Sequence, residues 1–271
     1  MYVNVNNVDL HYEVHGEGIP IVMIHGFSPD MNLMKGCMEP FFTNSELAYK
    51  RIYIDLPGMG KTRNYQGLEN TDDMLDTLLE FISIQLNGES FLIAGESYGG
   101  YLTRGVIAKL PEQVLGVFLI CPLILPDHDT RTLPDFFIKE KDETFLATLS
   151  EDVRQNFEES FVILNKETYD RWQNETMSGI EIADQLFLDK ISQNYAFSSW
   201  FSEPLFDKPS VFLLGKQDNV VGYHDALVLS ENYSSATYTV VNGASHNLQI
   251  EQPALFNAFL ADWLERCSKV E

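Results

Sequence analysis

Positive charge is scarce in this chain: 18 Lys and Arg residues stand against 40 Asp and Glu, a formal net charge of −22 at pH 7. A surface this acidic repels phosphate backbones and anionic bilayers, which argues against nucleic acid and membrane as partners. It also disfavours long-range capture of polyanionic substrates, and its simplest role is to keep the protein dispersed. Cysteine is scarce too. Cys37, Cys121 and Cys267 are odd in number, far apart and without a C-x-x-C spacing. That argues against a disulfide framework or a zinc site and fits a reducing cytoplasm. No stretch approaches the roughly 20 apolar residues of a membrane helix. The opening MYVNVNNVDLHYEV has no basic segment followed by an apolar run, so no signal peptide is expected. Internal repeats and low-complexity tracts are also lacking. What is present is an ordinary globular composition, 45% hydrophobic over 271 residues. That suffices for a large core in one domain, or in a domain carrying an insertion.

Hydropathy patterning sets the expected architecture. Val3 and Val5, then Leu10, Tyr12 and Val14, alternate with polar neighbours and predict half-buried antiparallel strands. Gly16-Glu17-Gly18 is a turn, and the apolar run Ile19 to Ile24 is a strand covered on both faces. Further strands are expected at Arg51–Asp55, Ser90–Ala94, Val114–Cys121, Val211–Leu214 and Thr237–Val241. Helices are expected at Thr71–Leu86, with Thr71 as its cap, and at Tyr98–Leu110, Tyr223–Asn232 and Pro253–Arg266. Strands separated by helices imply an α/β protein with a mostly parallel central sheet and helices on both faces. The segment 125–206 is charged, aromatic and helical in rhythm, with no good strand. It reads as a helical cap inserted into a core made of residues 1–124 and 207–271, with too thin an interior to stand alone.

Four short motifs carry chemistry. Gly95-Glu96-Ser97-Tyr98-Gly99-Gly100 fits G-x-S-x-G, between the strand FLIA and the helical YLTRGVIAKL. A sharp strand-to-helix turn of this kind strains the serine backbone and exposes its hydroxyl as a nucleophile, provided small residues flank it. Met23-Ile24-His25-Gly26-Phe27 ends a strand. A loop there can aim the Phe27 N–H at a reacting carbonyl oxygen, and the Tyr98 N–H, next to the nucleophile, completes an oxyanion hole. His25 itself reads as a structural histidine ordering that loop. Leu214-Gly215-Lys216-Gln217-Asp218 puts a carboxylate past a strand, where it can hold a histidine tautomer. Asp127 and Asp129, after the strand ending at Cys121, are rivals for that role. Gly243-Ala244-Ser245-His246 places an imidazole on a loop of small residues, expected to be flexible, before the last helix. His246 is the candidate general base, with activity expected to rise through a pKa near 6 to 7. His11, His15, His128 and His224 read as structural or surface residues. Gly58-Met59-Gly60-Lys61-Thr62 looks like a phosphate loop, but Asp55 stands where the pattern needs its first glycine, so nucleotide binding is not expected.

The order Ser97, Asp218, His246 differs from the chymotrypsin and subtilisin orders. With the HGF loop, the Asp55–Gly60 segment DLPGMG, GESYGG, GKQD and ASH, the chain resembles the α/β-hydrolase fold superfamily with a helical cap. The resemblance extends over nearly everything outside the cap. It implies a site between sheet and cap, catalytic residues Ser97, Asp218 and His246, and neither cofactor nor metal. Serine at the elbow departs from the aspartate of haloalkane dehalogenases and epoxide hydrolases, and His25-Gly26-Phe27-Ser28-Pro29 departs from the HGGPG of prolyl aminopeptidases. The implied activity is acyl chemistry on a small or medium apolar ester by a carboxylesterase, lactonase or thioesterase. Carbon–carbon-bond hydrolases, lyases and aminopeptidases of the same fold are alternatives, and a non-catalytic ligand receptor is the alternative from another class. The partner is a small molecule, and the oligomeric state is open. Arg104 and Arg131 are placed near the entrance. Cap aromatics from Phe136 and Phe137 through Phe157, Phe161, Trp172, Tyr195, Trp200 and Phe201 supply both packing and pocket.

Overall fold

The computed structural model describes residues 1–43, 45, 47–199 and 205–269. Strands β1 (Tyr2–Val5) and β2 (Val8–His15) pair antiparallel, as their alternation requires. Then β3 (Ile19–Ile24), α1 (Asn32–Thr43), β4 (Tyr49–Ile54), α2 (Thr71–Leu86), β5 (Phe91–Glu96), α3 (Tyr98–Lys109) and β6 (Val114–Ile120) follow in turn. An inserted segment holds β7 (Glu140–Lys141), α4 (Glu143–Leu146), α5 (Glu151–Ser160), β8 (Ile163–Leu164), α6 (Lys166–Trp172), a π-helical turn over Gln173–Met177, α7 (Ser178–Ile180) and α8 (Gln185–Ser192). The chain closes with β9 (Ser210–Gly215), α9 (His224–Val228), β10 (Ala236–Val241), α10 (Leu248–Glu251) and α11 (Pro253–Cys267).

The eight-stranded sheet runs β1-β2-β4-β3-β5-β6-β9-β10, and every neighbouring pair from β4 to β10 is parallel. The central strands β5 and β9, FLIAGE and SVFLLG, are buried at all positions. From β3 the chain steps one way to β4, and then back past β3 to β5. Right-handed crossovers place helices on opposite faces of the sheet for the two directions of travel. The reversal leaves a crevice at the carboxyl ends of β3 and β5, where open parallel sheets bind ligands. Gly26-Phe27 and Ser97 sit at those two strand ends.

Helix α1 escapes the hydropathy reading. Leu33, Met34, Cys37, Met38 and Phe42 are buried at helical spacing, but Pro40 lies inside the helix and Gly36 breaks the stripe. Gly36 has a packing reason: a Cβ there would lie 2.2 Å from Cδ of Glu175 in the π-helical turn. At α2 the cap is Asn70, whose Oδ1 accepts from the Asp73 N–H at 2.9 Å, and not Thr71. Thr71 is fully buried and donates its hydroxyl to the Tyr195 carbonyl at 2.8 Å.

The insertion contains one short parallel pairing, Glu140 with Ile163 and Lys141 with Leu164, where no strand was expected. Its private apolar cluster is small: Leu146, Phe157, Phe161, Leu164 and Trp172, joined by Ile250 from α10. Phe187, Leu188, Ile191 and Phe197 belong to the main core instead. A cluster of this size contributes only a few side chains at about 1.5–3 kcal/mol each, so the segment depends on the sheet domain beneath it. Trp200 and Phe201 lie outside the described residues.

Candidate active site

Ser97 stands between β5 and α3 at φ 52° and ψ −117°, a positive-φ backbone that a β-carbon residue rarely adopts. The turn is held by three backbone bonds: Ser97 N–H to Ile120 O at 3.0 Å, and Ser97 O from Tyr101 N at 3.1 Å and Leu123 N at 2.9 Å. Glycine is required next to it, because a Cβ on Gly99 would lie 2.3 Å from the Ile24 carbonyl oxygen. That close approach of α3 to β3 brings the serine beside the Gly26-Phe27 loop.

The loop's shape comes from His25, which is fully buried. Its Nε2 accepts from the Leu56 N–H at 3.0 Å, so its proton sits on Nδ1, which donates to the Gly26 carbonyl at 2.7 Å. Burial lowers its pKa and keeps it neutral. It orders the loop. The Phe27 ring packs edge-on against Tyr98 at 5.2 Å, and Tyr98 hydrogen-bonds Thr71 Oγ1 through its hydroxyl at 3.0 Å. Gly26, Phe27 and Ser97 line the same cavity, and a Cβ on Gly26 would lie 3.2 Å from Ser97 Cβ. Tyr98 is the first residue of α3, where an N–H has no intrahelical acceptor.

Asp218 lies past β9 and is fully buried. Its Oδ1 accepts from the N–H groups of Val220 at 2.9 Å and Val221 at 3.0 Å, which pins the carboxylate. Its Oδ2 meets His246 Nδ1 at 2.9 Å. Asp127 and Asp129 are exposed, and Asp127 Oδ1 accepts from the Asp129 N–H at 3.1 Å, away from any imidazole of this group. The His246 loop is clamped rather than flexible. Gly243 N–H donates to Gln217 Oε1 at 2.8 Å, Ser245 N–H to Glu251 Oε2 at 2.6 Å, and Ser245 Oγ to the Ser160 carbonyl at 3.0 Å. Glu251 Oε1 also accepts from Val162 N at 2.6 Å, so one carboxylate ties the imidazole loop to the insertion. Small residues serve here for close packing, not for motion: a Cβ on Gly215 would lie 2.2 Å from the Ser245 carbonyl oxygen.

The far nitrogen of His246 has a neighbour that motif reading missed. Glu96 Oε1 lies 3.3 Å from His246 Nε2, and Glu96 is 3% exposed. The signal was in the sequence: an acid at the end of an otherwise apolar strand, beside the elbow serine. Burial raises the Glu96 carboxyl to about 7, helped by Asp218 and opposed by His246. Burial lowers the His246 pKa, but the Asp218 and Glu96 carboxylates outweigh it and hold the imidazole at about 9. The base-competent, neutral imidazole therefore forms at higher pH than an ordinary histidine allows.

Ser97, His246 and Glu96 line one cavity of about 220 Å³ between sheet and insertion. The core contributes Phe27, Pro29, Leu33 and Asn247, and the insertion contributes Ser160, Trp172, Thr176, Met177 and Ile180. Two roomier hollows, at Phe136–Ile138 and at Pro126–Tyr195, contain neither Ser97 nor His246. Of the described cap aromatics, Trp172 lines the 220 Å³ cavity while Phe157 and Phe161 pack among themselves. Arg104 is not at an entrance. It is fully buried and donates to the carbonyls of Leu123 at 3.4 Å and Ile124 at 3.2 Å. Arg131 binds three carbonyls, those of Leu125, Val220 and Pro126. Cys121, Asp218 and His246 offer ligand atoms within 4.8 Å of one another. Asp218 and His246 are bonded to each other, and burial raises the Cys121 thiol pKa far above its usual range, so these donors do not suit a cation. Lys61 N–H and Thr62 Oγ1 bind Asp55, at 2.9 Å through its Oδ2 and 2.6 Å through its carbonyl, so that turn serves the fold.

Comparison with known proteins agrees with this fold. Residues 19–253 match the family described as alpha/beta hydrolase fold. A pimeloyl-[acyl-carrier protein] methyl ester esterase of Legionella pneumophila is 25% identical over 265 residues, spanning 95% of this chain and 100% of that protein. A monoacylglycerol lipase of Bos taurus is 23% identical over 256 residues, 90% of this chain and 74% of the lipase. The crystal structure of an alpha/beta superfamily hydrolase from Oenococcus oeni superposes with a TM-score of 0.89 at 30% identity, covering 99% of each chain.

Proposed function

The chain belongs to the alpha/beta hydrolase fold family, and from that premise we propose that it is a serine hydrolase that cleaves a small or medium-sized apolar ester. One observation carries the reading: a serine in elbow conformation lines the same cavity as an imidazole whose other nitrogen is held by a pinned carboxylate. In this reading His246 Nε2 removes the Ser97 proton as Oγ attacks the ester carbonyl. Asp218 holds the Nδ1–H tautomer and stabilises the imidazolium, and the Phe27 and Tyr98 N–H groups receive the oxyanion. The alkoxide leaves with the proton from His246. Water then attacks the acyl-enzyme by the same route and releases the acid.

The cavity of about 220 Å³, walled by Phe27, Leu33, Trp172, Met177 and Ile180, suits a short apolar acyl or alkyl group. Residues 1–124 and 207–271 form the catalytic core in this account, and 125–206 the cap that closes the site. Three free buried thiols fit the cytoplasm as its location. No helix among the described residues is long and apolar enough to cross a membrane. The test is turnover of p-nitrophenyl acetate and butyrate, with lactone, thioester and aminoacyl-amide substrates alongside and Ser97→Ala as control. Ester turnover that vanishes in the variant supports the reading. A wild-type protein that binds these compounds and cleaves none is a receptor.

A further inference from the structure

Glu96 has no part in the serine mechanism just described, yet it occupies the most sensitive position in the site. Nε2 of His246 is the atom that must take the Ser97 proton, and Glu96 Oε1 stands 3.3 Å from it. The chain makes room for this carboxyl: a Cβ on Gly26 would lie 2.2 Å from Glu96 Oε2. His246 is therefore flanked by carboxylates on both ring nitrogens, Asp218 at 2.9 Å on Nδ1 and Glu96 on Nε2. The other ionisable groups facing the pair add no competing anion at neutral pH. Arg131 lies on the insertion side and disfavours the imidazolium at long range. The thiols of Cys121 and Cys37 are held protonated by burial, and so is the Tyr195 phenol.

We propose that Glu96 is a positioning residue that holds His246 as an imidazolium in the resting enzyme and so sets the pH at which the enzyme works. The inference rests on the reading of His246 as the base for Ser97. Below the imidazole pKa, Nε2 carries a proton directed at Glu96 and cannot accept another. As pH rises that proton leaves to solvent, the Nε2 lone pair is freed, and it takes the Ser97 proton while Oγ bonds to the acyl carbon. The imidazolium formed in that step lies again between two carboxylates. Once Glu96 is ionised, above about 7, the contact thus slows the enzyme below the imidazole titration at about 9, by keeping the base occupied, and speeds it above that, by stabilising the charge that develops. A merely structural glutamate would do neither selectively.

The test is Glu96→Gln, which keeps the shape and removes the charge. The His246 ring is titrated directly by nitrogen-15 NMR in both proteins, and kcat/KM for p-nitrophenyl butyrate is followed from pH 5 to 10. We expect the His246 titration to fall by one unit or more in the variant, and the acid limb of kcat/KM to fall with it. The high-pH limit should drop severalfold, so that the two profiles cross and the variant is the faster enzyme near pH 8, between the titration of Glu96 at about 7 and that of His246 at about 9. An unchanged His246 titration, or profiles that differ by a constant factor at every pH, overturns the proposal. If Glu96→Gln does not fold, the wild-type titration alone is decisive against it should His246 titrate at an ordinary 6.5. A shifted titration in a protein with no Ser97-dependent turnover supports the Glu96 contact and refutes the hydrolase reading instead.

Discussion

Asp218→Asn is the substitution whose outcome the structure specifies most fully. Two main-chain N–H groups, from Val220 and Val221, point at Oδ1, and the imidazole Nδ1 faces Oδ2. An asparagine in this slot must turn its carbonyl oxygen towards the two N–H donors, since the reverse would set its NH2 against both. Its NH2 then faces Nδ1 and donates to it. That bond favours the tautomer protonated on Nε2, which cannot accept the Ser97 proton. The carboxylate that stabilised the imidazolium is lost as well. Both effects act on the chemical step, so the loss should fall on kcat and reach roughly 10⁴-fold, or about 5 kcal/mol of transition-state stabilisation. The fold should survive, because the two main-chain bonds keep their acceptor. The assay is kcat for p-nitrophenyl butyrate at matched folded fraction by circular dichroism, with Asp127→Asn and Asp129→Asn in parallel. Both of those residues are exposed, and each variant should lose less than about tenfold. A loss below about tenfold for Asp218→Asn, or a crippled Asp127 or Asp129 variant, would refute the assignment of the acid.

Phe157 is fully buried among Phe161, Tyr169 and Trp172 in the insertion. Phe157→Ala should cost about 3–5 kcal/mol by chemical denaturation; a cost under about 1 kcal/mol would show that the insertion does not depend on this cluster. Cys37, Cys121 and Cys267 are buried and free, with thiol pKa values raised by burial. Dithionitrobenzoate should therefore react slowly with the native protein and count all three thiols once it is unfolded; rapid native labelling would contradict their burial.

Much of the sheet was legible because β3, β5 and β9 are apolar runs with no alternative use. The elbow was legible because Gly95, Gly99 and Gly100 report close approaches that no other residue permits. Where the reading failed, the cause lay in contacts between distant segments. Helix α1 is interrupted in sequence by Gly36, whose justification is Glu175 in the insertion. Thr71 yields its capping role to Asn70 because its hydroxyl is claimed by Tyr195, far along the chain. Arg104 was placed near the entrance, and only the tertiary fold shows two carbonyls waiting for it inside. The His246 loop reads as mobile from its small residues, but Glu251 and Ser160 fasten it. Glu96 was hidden by its motif, since the pattern leaves its position unspecified and only the cavity shows it facing the imidazole.

The central claim, that Ser97 is the nucleophile of an acyl-transfer site, is tested most directly by covalent capture. The protein is incubated with a fluorophosphonate at pH 9, where the His246 imidazole, held up to about 9, becomes neutral. Peptide mass spectrometry then locates the adduct. We expect one phosphonyl group per chain, on Ser97, with esterase activity lost in proportion to labelling and no adduct on a folded Ser97→Ala variant. An adduct on another serine, or full labelling of Ser97 with activity intact, would contradict it.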